Sequence, residues 1–278
     1  MIDSNTTNTA PFYDFIVARE QVRLNRAAGL PREAWTDDEI LYTYKFCNID
    51  REHDAGTIFN REYIRLYYNS PDYLTIARLA RTINSPTTLK AMIDDGVIHD
   101  GYLDPKNVRD WATEYKLQGG KLWRPAYHSG KRPVLGQTFA DWLGEIVRDS
   151  QDMNPDLIRT INAGGNSDIL AAFERLNNVG PFSANQIIMD VAHTPLMSHT
   201  DYKDNHTSLG PGSKRGLEEL FGDASDYMSK FAELRAGLPQ ELPRLSLHNI
   251  QNCLCEYAKY VYRTETPNTR NKYKETKQ

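Results

Sequence analysis

The stretch that most limits the fold is LNNVGPFSANQIIMD at residues 176–190, where two helical patterns meet across a turn of a few residues. Gly180 can adopt a left-handed backbone without steric cost, and Pro181 fixes the next φ angle. After the turn, apolar residues recur at helical spacing: Ala184, Ile187, Ile188 and Val191. The stretch predicts a helix, a tight turn and a second helix whose first backbone amides are open to a phosphate. An ordinary helical hairpin is the commoner explanation of this stretch alone.

The same helical spacing recurs along most of the chain, so the predicted class is mainly α. Helices are predicted at 12–29, 73–83, 87–94, 107–116, 139–148, 155–162, 167–176, 183–193, 214–221, 224–236 and 247–263. A further helix is predicted to begin at Thr36, with Glu39 completing a capping box. Glycines and prolines at 117–138 predict a small hairpin or loop insertion. We therefore expect one helical domain at 12–265, between a flexible N-terminus at 1–11 and a flexible basic tail at 266–278.

The charge and hydropathy patterns exclude several classes of protein. No run of about 18 apolar residues is present, and the first residues lack the pattern of a secretory signal, so we expect a cytoplasmic protein with no membrane partner. The net charge of −4 argues against a uniformly basic surface but leaves room for a local basic groove. The motif GxxxxGK[ST] is absent, so we do not expect hydrolysis of a nucleoside triphosphate.

Cysteine and histidine usage argues against a metal centre. Cys47, Cys253 and Cys255 are an odd number, and they form neither a disulfide framework nor a four-cysteine cluster pattern. The seven histidines include no HExxH pair. His193, His199 and His206 flank the acidic candidates, but histidines are common in loops, so they are weaker candidates for a role. We expect no bound transition metal.

Two polar clusters in the first 54 residues are candidates for chemistry. Arg19, Arg23 and Arg26 recur at helical spacing, which places three guanidinium groups on one face; a solvated helix surface has the same pattern. A second cluster directly follows a predicted apolar helix and consists of Asn48, Arg51, Glu52 and Asp54. Polar groups at such a helix end often form a buried network.

Two later motifs are also rich in charge. In SLGPGSKRGLEEL, Lys214 and Arg215 follow Gly210 and Gly212 at a predicted helix start, where amides, helix dipole and cations suit a phosphate or pyrophosphate. A glycine-rich turn with adjacent basic residues is an equally simple explanation. In IQNCLCEYAKY, Glu256 and Lys259 are three residues apart, which is usual for an intrahelical surface pair.

The hairpin LNNVGPFSA resembles that of helix-hairpin-helix DNA glycosylases over about forty residues. That family has a catalytic aspartate about twenty residues after the hairpin glycine, and Asp201 stands 201 − 180 = 21 residues after Gly180. The resemblance implies a glycosylase-like helical fold with the hairpin at 176–191. Pro181 and Phe182 stand where bifunctional members carry a nucleophilic lysine, which excludes Schiff-base lyase chemistry at that position.

A second resemblance covers most of the chain. FIVAREQVRLNRAAGLPREAWTDDEILYTYKFCNIDREHD, VGPFSANQ, GPGSKRG and IQNCLCEYAKY occur in the order found in the phage alpha-glutamyl/putrescinyl thymine pyrophosphorylases, or amino acid:DNA transferases. This resemblance implies a thymine hypermodification enzyme on double-stranded phage DNA. Its substrate would carry 5-(pyrophosphoryloxymethyl)uracil, and a free amino acid or amine would displace pyrophosphate. A monofunctional glycosylase and a non-catalytic DNA-binding module are the alternatives.

The resemblance and the chemistry together assign expected roles to individual residues. The expected catalytic residues are Asp201 and, second, Glu52, which would take a proton from the amine. The expected pyrophosphate ligands are Arg19, Arg23, Lys214 and Arg215. The expected contacts to an extruded base are Asn48, Gln186 and Tyr202, with Phe46 as an alternative stacking partner. The expected DNA-backbone contacts are Val179, Gly180, Phe182 and Ser183. The expected amino-acid site or polar network is Arg51, Asp54, Glu256 and Lys259. No cofactor is expected beyond a monovalent cation in the hairpin loop.

Overall fold

The computed structural model describes residues 8–123, 136–265 and 272–273, and within them the chain is mainly helical. The α-helices are α1 Ala10–Ala27, α2 Glu39–Thr43, α3 Ala55–Arg65, α4 Tyr73–Ile83, α5 Pro86–Asp94, α6 Pro105–Leu117, α7 Phe139–Ala163, α8 Asn166–Glu174, α9 Pro181–Val191, α10 Tyr202–Asn205, α11 Pro211–Phe221, α12 Tyr227–Ala236 and α13 Leu247–Glu265. Short 3-10 turns lie at Arg32–Ala34, Arg51–His53 and Pro195–Met197. The predicted mainly α class is confirmed.

The helices group into two compact units. The terminal unit comprises residues 1–54 and 204–278, and the central unit comprises residues 55–203. Each unit has its own apolar core. Part of the predicted insertion at 117–138 lies outside the described residues.

Two predictions of helix bounds were wrong in detail. The helix predicted from Thr36 begins at Glu39, because the Asp38 side chain caps it by accepting from the amide of Leu41 at 2.8 Å. The helices predicted at 139–148 and 155–162 are one helix, α7, with Pro155 inside it. Apolar residues before and after the proline are buried, including Ile146 and Leu157, so core packing along the whole helix outweighs the lost hydrogen bond.

The hairpin turn is built differently from the prediction. Gly180 has φ −100° and ψ 177°, which is an extended backbone, while Asn178 has φ 63° and takes the left-handed conformation. Asparagine tolerates that region better than most residues. The Asn177 side chain donates to Asp149 at 2.7 Å, and the Asn177 carbonyl accepts from Arg78 at 2.6 Å. Both bonds hold the turn against α4 and α7.

The central unit also contains a two-stranded antiparallel sheet that the sequence did not predict. Strands β1 Ile98–His99 and β2 Tyr102–Leu103 pair Ile98 with Leu103 and His99 with Tyr102. Asp100 and Gly101 form the turn, both with positive φ. With two residues in each strand, there is no alternation of apolar and polar residues for a pattern to reveal.

In the terminal unit, α11 and α13 approach each other at backbone contact distance. A Cβ atom added to Gly216 would collide with the carbonyl oxygen of Leu254, and one added to Gly212 would collide with the Sγ atom of Cys255. The buried Ser213 hydroxyl accepts from the Gly210 amide and from the Gln251 side chain, both at 3.0 Å. The glycines of the GPGSKRG motif therefore serve close helix packing.

Two residues of the predicted C-terminal tail are ordered against the terminal unit. Lys272 forms an antiparallel bridge with Tyr44, and the Tyr273 amide donates to the Thr43 carbonyl at 3.0 Å. At the other end of the chain, α1 already begins at Ala10, within the segment predicted to be flexible. None of the helices in the described ranges is long and apolar enough to cross a bilayer.

Candidate functional site

Helix α13 buries an unusual run of polar side chains in the terminal unit. His248, Asn249, Gln251, Asn252 and Glu256 are all at most 7% exposed. Charged and amide side chains are seldom this buried unless they have partners, so each demands an account of its hydrogen bonds. Asn249, Asn252 and Glu256 face the loop that follows α2, while Gln251 faces α11.

The loop at residues 44–54 is tied to α13 by contacts between residues about two hundred positions apart. The Cys47 amide donates to Glu256 Oε2 at 2.8 Å. The Arg51 amide donates to Asn249 Oδ1 at 3.2 Å, and Asn249 Nδ2 donates to Asp50 at 2.9 Å. These bonds place the motif CNIDREHD against the motif IQNCLCEYAKY.

Arg19 anchors the same loop from α1. Its Nε donates to the Cys47 carbonyl at 3.0 Å, and its Nη2 donates to the Phe46 carbonyl at 3.0 Å and to Asn48 Oδ1 at 2.8 Å. The side chain is 3% exposed, and its Nη1 has no hydrogen-bond partner. Most of the hydrogen-bond donors of Arg19 thus position the loop, and one buried donor, Nη1, has no partner among the described residues.

The carboxylate of Asp54 has the perturbed acidity expected of a functional acid or base. It accepts from the Asn48 amide at 3.0 Å and from Arg51 Nε at 3.2 Å. Burial raises the pKa of Asp54, and this effect outweighs the opposing charge of Arg51 and the two hydrogen bonds. The Asp54 side chain remains 18% exposed, which leaves it open to a small substrate.

Glu256 and Lys259 form a pair that is more buried than the sequence suggested. Lys259 Nζ donates to Glu256 Oε2 and to the Lys45 carbonyl, the latter at 3.0 Å, and it lies 4.4 Å from the ring centroid of Phe46. Glu256 already neutralises Lys259 and accepts from the Cys47 amide. Its role is to hold the loop, and little charge is left for binding an ammonium group.

Lys214 and Arg215 lie exposed in the first turn of α11. Lys214 is 3.7 Å from Glu218, a long and weak contact. Burial has the largest effect on the pKa of Cys255 and raises it. The charge of Glu256 raises this pKa further, whereas the charges of Lys259, Arg215 and Arg51 lower it. Arg215 lies on α11, whose Gly212 and Gly216 pack against Cys255 and Leu254 of α13. What we call the polar cluster consists of Arg19, Asn48, Asp50, Arg51, Asp54, Asn249, Asn252, Glu256 and Lys259, with Arg215 on the neighbouring helix.

None of the three cysteines near the polar cluster forms a disulfide. Burial raises the pKa of Cys47 to about 12, with a further rise caused by Glu256, and burial also raises the pKa of Cys253 and Cys255. Since the thiolate is the nucleophile, none of them is activated at neutral pH.

We expect Cys47 to react slowly with iodoacetamide in the folded protein. A pKa of about 12 leaves a thiolate fraction of about 10⁻⁴ at pH 8, whereas an ordinary thiol of pKa about 8.5 is about one quarter ionised. Peptide mass spectrometry after timed labelling measures the rate at each cysteine, with urea-unfolded protein as the control. Rapid labelling of Cys47 in the folded protein would instead identify it as a reactive nucleophile.

Arg23 and Glu52 occupy the margin of this region. Arg23 donates from Nε to both Glu20 oxygens at 3.0 Å, so its guanidinium is forked onto a carboxylate on its own helix. Its pKa is raised mainly by that bond. Glu52 is half-buried, and its amide donates to Asp50 at 3.0 Å.

A cavity of about 630 Å³ in the terminal unit lies beside α1, away from these cations. Its acidic lining residues are Asp14, Glu33, Asp37 and Glu241, and it has no lysine or arginine in its lining. Such a cavity repels phosphate, so it does not suit a pyrophosphate group.

The hairpin residues lie in the central unit at the start of α9. Gly180 is exposed and has no side chain to cap the first turn; Val179 and Phe182 are half-buried, and Ser183 is buried. Uncapped amides at a helix start are suited to a phosphate.

The other residues assigned from the glycosylase resemblance also lie in the central unit. Asp201 is exposed, and its carboxylate accepts from Asn166 Nδ2 at 2.7 Å. Tyr202 is completely buried, and its hydroxyl donates to Asn185 at 3.0 Å; Gln186 is 1% exposed. The structure places Tyr202 and Gln186 in the core, where neither presents a face to an extruded base.

The described residues contain no group of three or more histidine, cysteine or acidic side chains placed to hold a metal ion.

The comparisons with known proteins identify the family. The family model for the helical domain of 5-hmdU DNA kinases matches residues 6–271. The chain belongs to this family. A 5-hmdU DNA kinase of Bacillus phage SP10 is 24% identical over 303 aligned positions, which cover 90% of this chain and 44% of that relative. The chain thus spans less than half the length of the relative it matches. No solved structure matches it.

The family assignment relates the chain to phage enzymes that modify thymine-derived bases in DNA. The match supports the predicted relation to phage thymine modification, but it does not show that the chain is a pyrophosphorylase. The buried amides of α13, Asn249, Gln251 and Asn252, were not among the predicted site residues. The signal was present as a polar run, HNIQN, at positions where a helix normally carries core residues.

Proposed function

We propose that this helical domain acts on the modified base of hydroxymethyluracil-containing phage DNA, replacing the pyrophosphate of 5-(pyrophosphoryloxymethyl)uracil with an amine. The observation that carries the proposal is the meeting of the motifs around Arg51 and Glu256 in one buried polar cluster, with the exposed Arg215 on α11, which packs against α13. The name of the phage relative supports the substrate class, since a kinase acting on 5-hmdU in DNA makes a phosphorylated base. Phosphorylation turns a hydroxyl into a leaving group, and a domain of the same family is well placed to use it.

The reaction needs positive charge where the leaving group departs. The C–O bond breaks, pyrophosphate leaves with the bonding electron pair, and a C–N bond forms to the same methylene carbon. Lys214 and Arg215, with the amides of the first turn of α11, supply cations and donors at an exposed surface of the cluster. Arg23 is less available because Glu20 holds it.

The reaction also needs a base, because an ammonium group has no lone pair. We assign this role to Asp54, whose raised pKa brings its acidity closer to neutrality than an exposed aspartate. Arg51 orients the carboxylate through Nε, and Asn48 orients it through its amide. Asp201 remains the alternative base that the glycosylase resemblance implies.

The hairpin of the central unit is proposed to hold the DNA backbone. Its exposed helix start at Gly180 and Pro181 offers amides to a phosphate without base specificity. The glycosylase-like fold itself remains part of this proposal, as does the monovalent cation in the hairpin loop.

A second candidate function is favoured by the description of the family. The matching model covers the helical domain of a kinase, and the chain spans 44% of the relative, so the domain would present DNA to a kinase without chemistry of its own. Monofunctional base excision is the third outcome.

One experiment separates the three. The purified chain is incubated with a synthetic duplex carrying 5-(pyrophosphoryloxymethyl)uracil and a mixture of amino acids and diamines, and the DNA is digested to nucleosides for mass analysis. A synthetic substrate is needed because the phage kinase contributes a similar helical domain of its own. We expect an amine-bearing nucleoside and stoichiometric pyrophosphate. Unchanged nucleosides with retained DNA binding would support the presenting domain, and free base with abasic sites would support excision.

A further inference from the structure

The terminal unit has a second cationic surface, centred on Tyr273. Around its ring lie Arg26 at 5.8 Å, Arg32 at 5.2 Å and Lys45 at 5.5 Å, each measured from the charged group to the ring centroid. The Trp35 ring packs edge-on at 5.6 Å between centroids. We call these five residues the Tyr273 surface. Three cations and two aromatic rings thus share one small area.

The three cations of this surface have no ion-pair partner in the described part of the chain, and the acidic cavity beside α1 shares Trp35 with the surface. Arg32 Nη2 donates to the Tyr42 carbonyl at 3.0 Å, while its Nε is buried without a partner. Uncompensated cations held this close together repel one another, which is a cost that a bound anion would relieve.

Two buried arginines adjoin the surface, and both have donors without partners. Arg263 is 5% exposed, lies 5.0 Å from the ring centroid of Tyr44 and leaves Nε and Nη1 without partners. Tyr44 pairs with Lys272, next to Tyr273. Arg19 leaves Nη1 without a partner among the described residues, and it lies on the same helix, α1, as Arg26. Buried arginine donors usually have partners, and an anion bound at this surface would supply them.

The chemistry of the surface selects the kind of anion. Cations alternate with aromatic faces, and Trp35 and Tyr273 are only half-buried, while Arg26 and Lys45 are exposed. Nucleic-acid strands are bound by this combination, because phosphates pair with the cations and unpaired bases stack on the rings. A free phosphate would use the cations and leave the rings without a role.

We propose that the Tyr273 surface binds a strand of DNA, with phosphates held by Arg26, Arg32 and Lys45 and an unpaired base stacked on Trp35 or Tyr273. This inference rests on the proposed function, because it assumes that DNA is the substrate. It assigns the binding of a DNA strand to residues outside the polar cluster. A strand beside the extruded nucleotide is unpaired locally, and this surface suits it better than intact duplex.

The test uses fluorescence anisotropy with a labelled oligothymidine and a labelled duplex at several salt concentrations. The variant is Arg26→Ala/Lys45→Ala, and the matched control is Arg65→Ala/Lys90→Ala, which removes the same charge from exposed helices of the central unit. We expect the variant to bind oligothymidine at least about tenfold more weakly and its salt slope to fall by about 1.4, since each contact to a single strand contributes about 0.7. Equal affinity and slope in variant and control would overturn the proposal, as would a wild-type chain that does not bind oligothymidine.

A second comparison tests the stacked base and is insensitive to charge. Wild type is expected to bind oligothymidine more tightly than an abasic oligonucleotide of equal length, and Tyr273→Ala to reduce that difference several-fold while Tyr273→Phe keeps it. An unchanged difference in Tyr273→Ala would exclude stacking on this ring. Circular dichroism melts confirm that each variant folds.

The two proposals fail separately. If the amine-bearing nucleoside forms and Arg26→Ala/Lys45→Ala has no effect on strand binding, this inference is contradicted and the transferase is supported. If that variant loses strand binding and the nucleosides in the product assay are unchanged, the binding role of this surface is supported and the transferase is contradicted.

Discussion

Replacement of Asp190 by asparagine is expected to destabilise the central unit by about 3–5 kcal/mol, because it leaves a buried guanidinium without its counter-charge. Arg81 on α4 and Asp190 on α9 are 4% and 5% exposed, and Arg81 Nε donates to Asp190 Oδ2 at 2.7 Å within a two-pronged pair. The pair joins the second helix of the hairpin to α4. Urea denaturation followed by circular dichroism measures the change.

The matched control is Asp94→Asn, which breaks the exposed pair between Lys90 and Asp94 on α5. We expect little change there, because solvent screens that pair. The double variant Arg81→Met/Asp190→Leu should be more stable than Asp190→Asn, since it removes both buried charges together. A double variant less stable than the single one would mean that other contacts of Arg81 dominate.

Replacement of Asp54 by asparagine is expected to lower the rate of amine transfer by about 10²–10⁴-fold while DNA affinity is kept. Asparagine preserves the shape of the side chain and removes the base. The measurement is the initial rate of pyrophosphate release, with Asp201→Asn as the matched variant. Full activity in Asp54→Asn together with loss in Asp201→Asn would return the role to Asp201.

The pH dependence gives the Asp54 assignment a separate signature. The base works only when ionised, so the rate should rise with pH through a pKa above the ordinary value of about 4 for aspartate. This rise of the rate with pH should disappear in Asp54→Asn. Because the folded-state pKa is raised, the contribution of Asp54 to stability is greatest at low pH and is lost as pH rises through that pKa.

Much of the helical architecture follows from local pattern alone. Helix α4 has the predicted bounds of 73–83, and α5, α9 and α11 begin only one to three residues before their predicted starts. These helices carry apolar residues at regular spacing, and that signal is local. Pro155 misled the prediction because a proline removes one hydrogen bond, while burial along both halves of α7 was invisible in the sequence.

The candidate site was predictable only in part. The motifs that supply Asn48, Arg51, Asp54 and Glu256 were recognised, but their contacts join residues about two hundred positions apart, and no periodicity encodes such pairs. The spacing of Arg19, Arg23 and Arg26 predicted one shared face. The structure gives each a different partner: the loop carbonyls, Glu20 and the ring of Trp35. A helical wheel shows which face of the helix a side chain is on. It cannot show whether that side chain holds the protein's own loop or binds a substrate.

The close approach of α11 and α13 at Gly212 and Gly216 links two distant parts of the chain mechanically. A phosphate drawn to Arg215 cannot shift the first turn of α11 without pressing on Cys255 and the Leu254 carbonyl. Deuterium uptake by the amides of α13 around these residues should therefore slow when an anion binds at α11, which gives a label-free readout of occupancy.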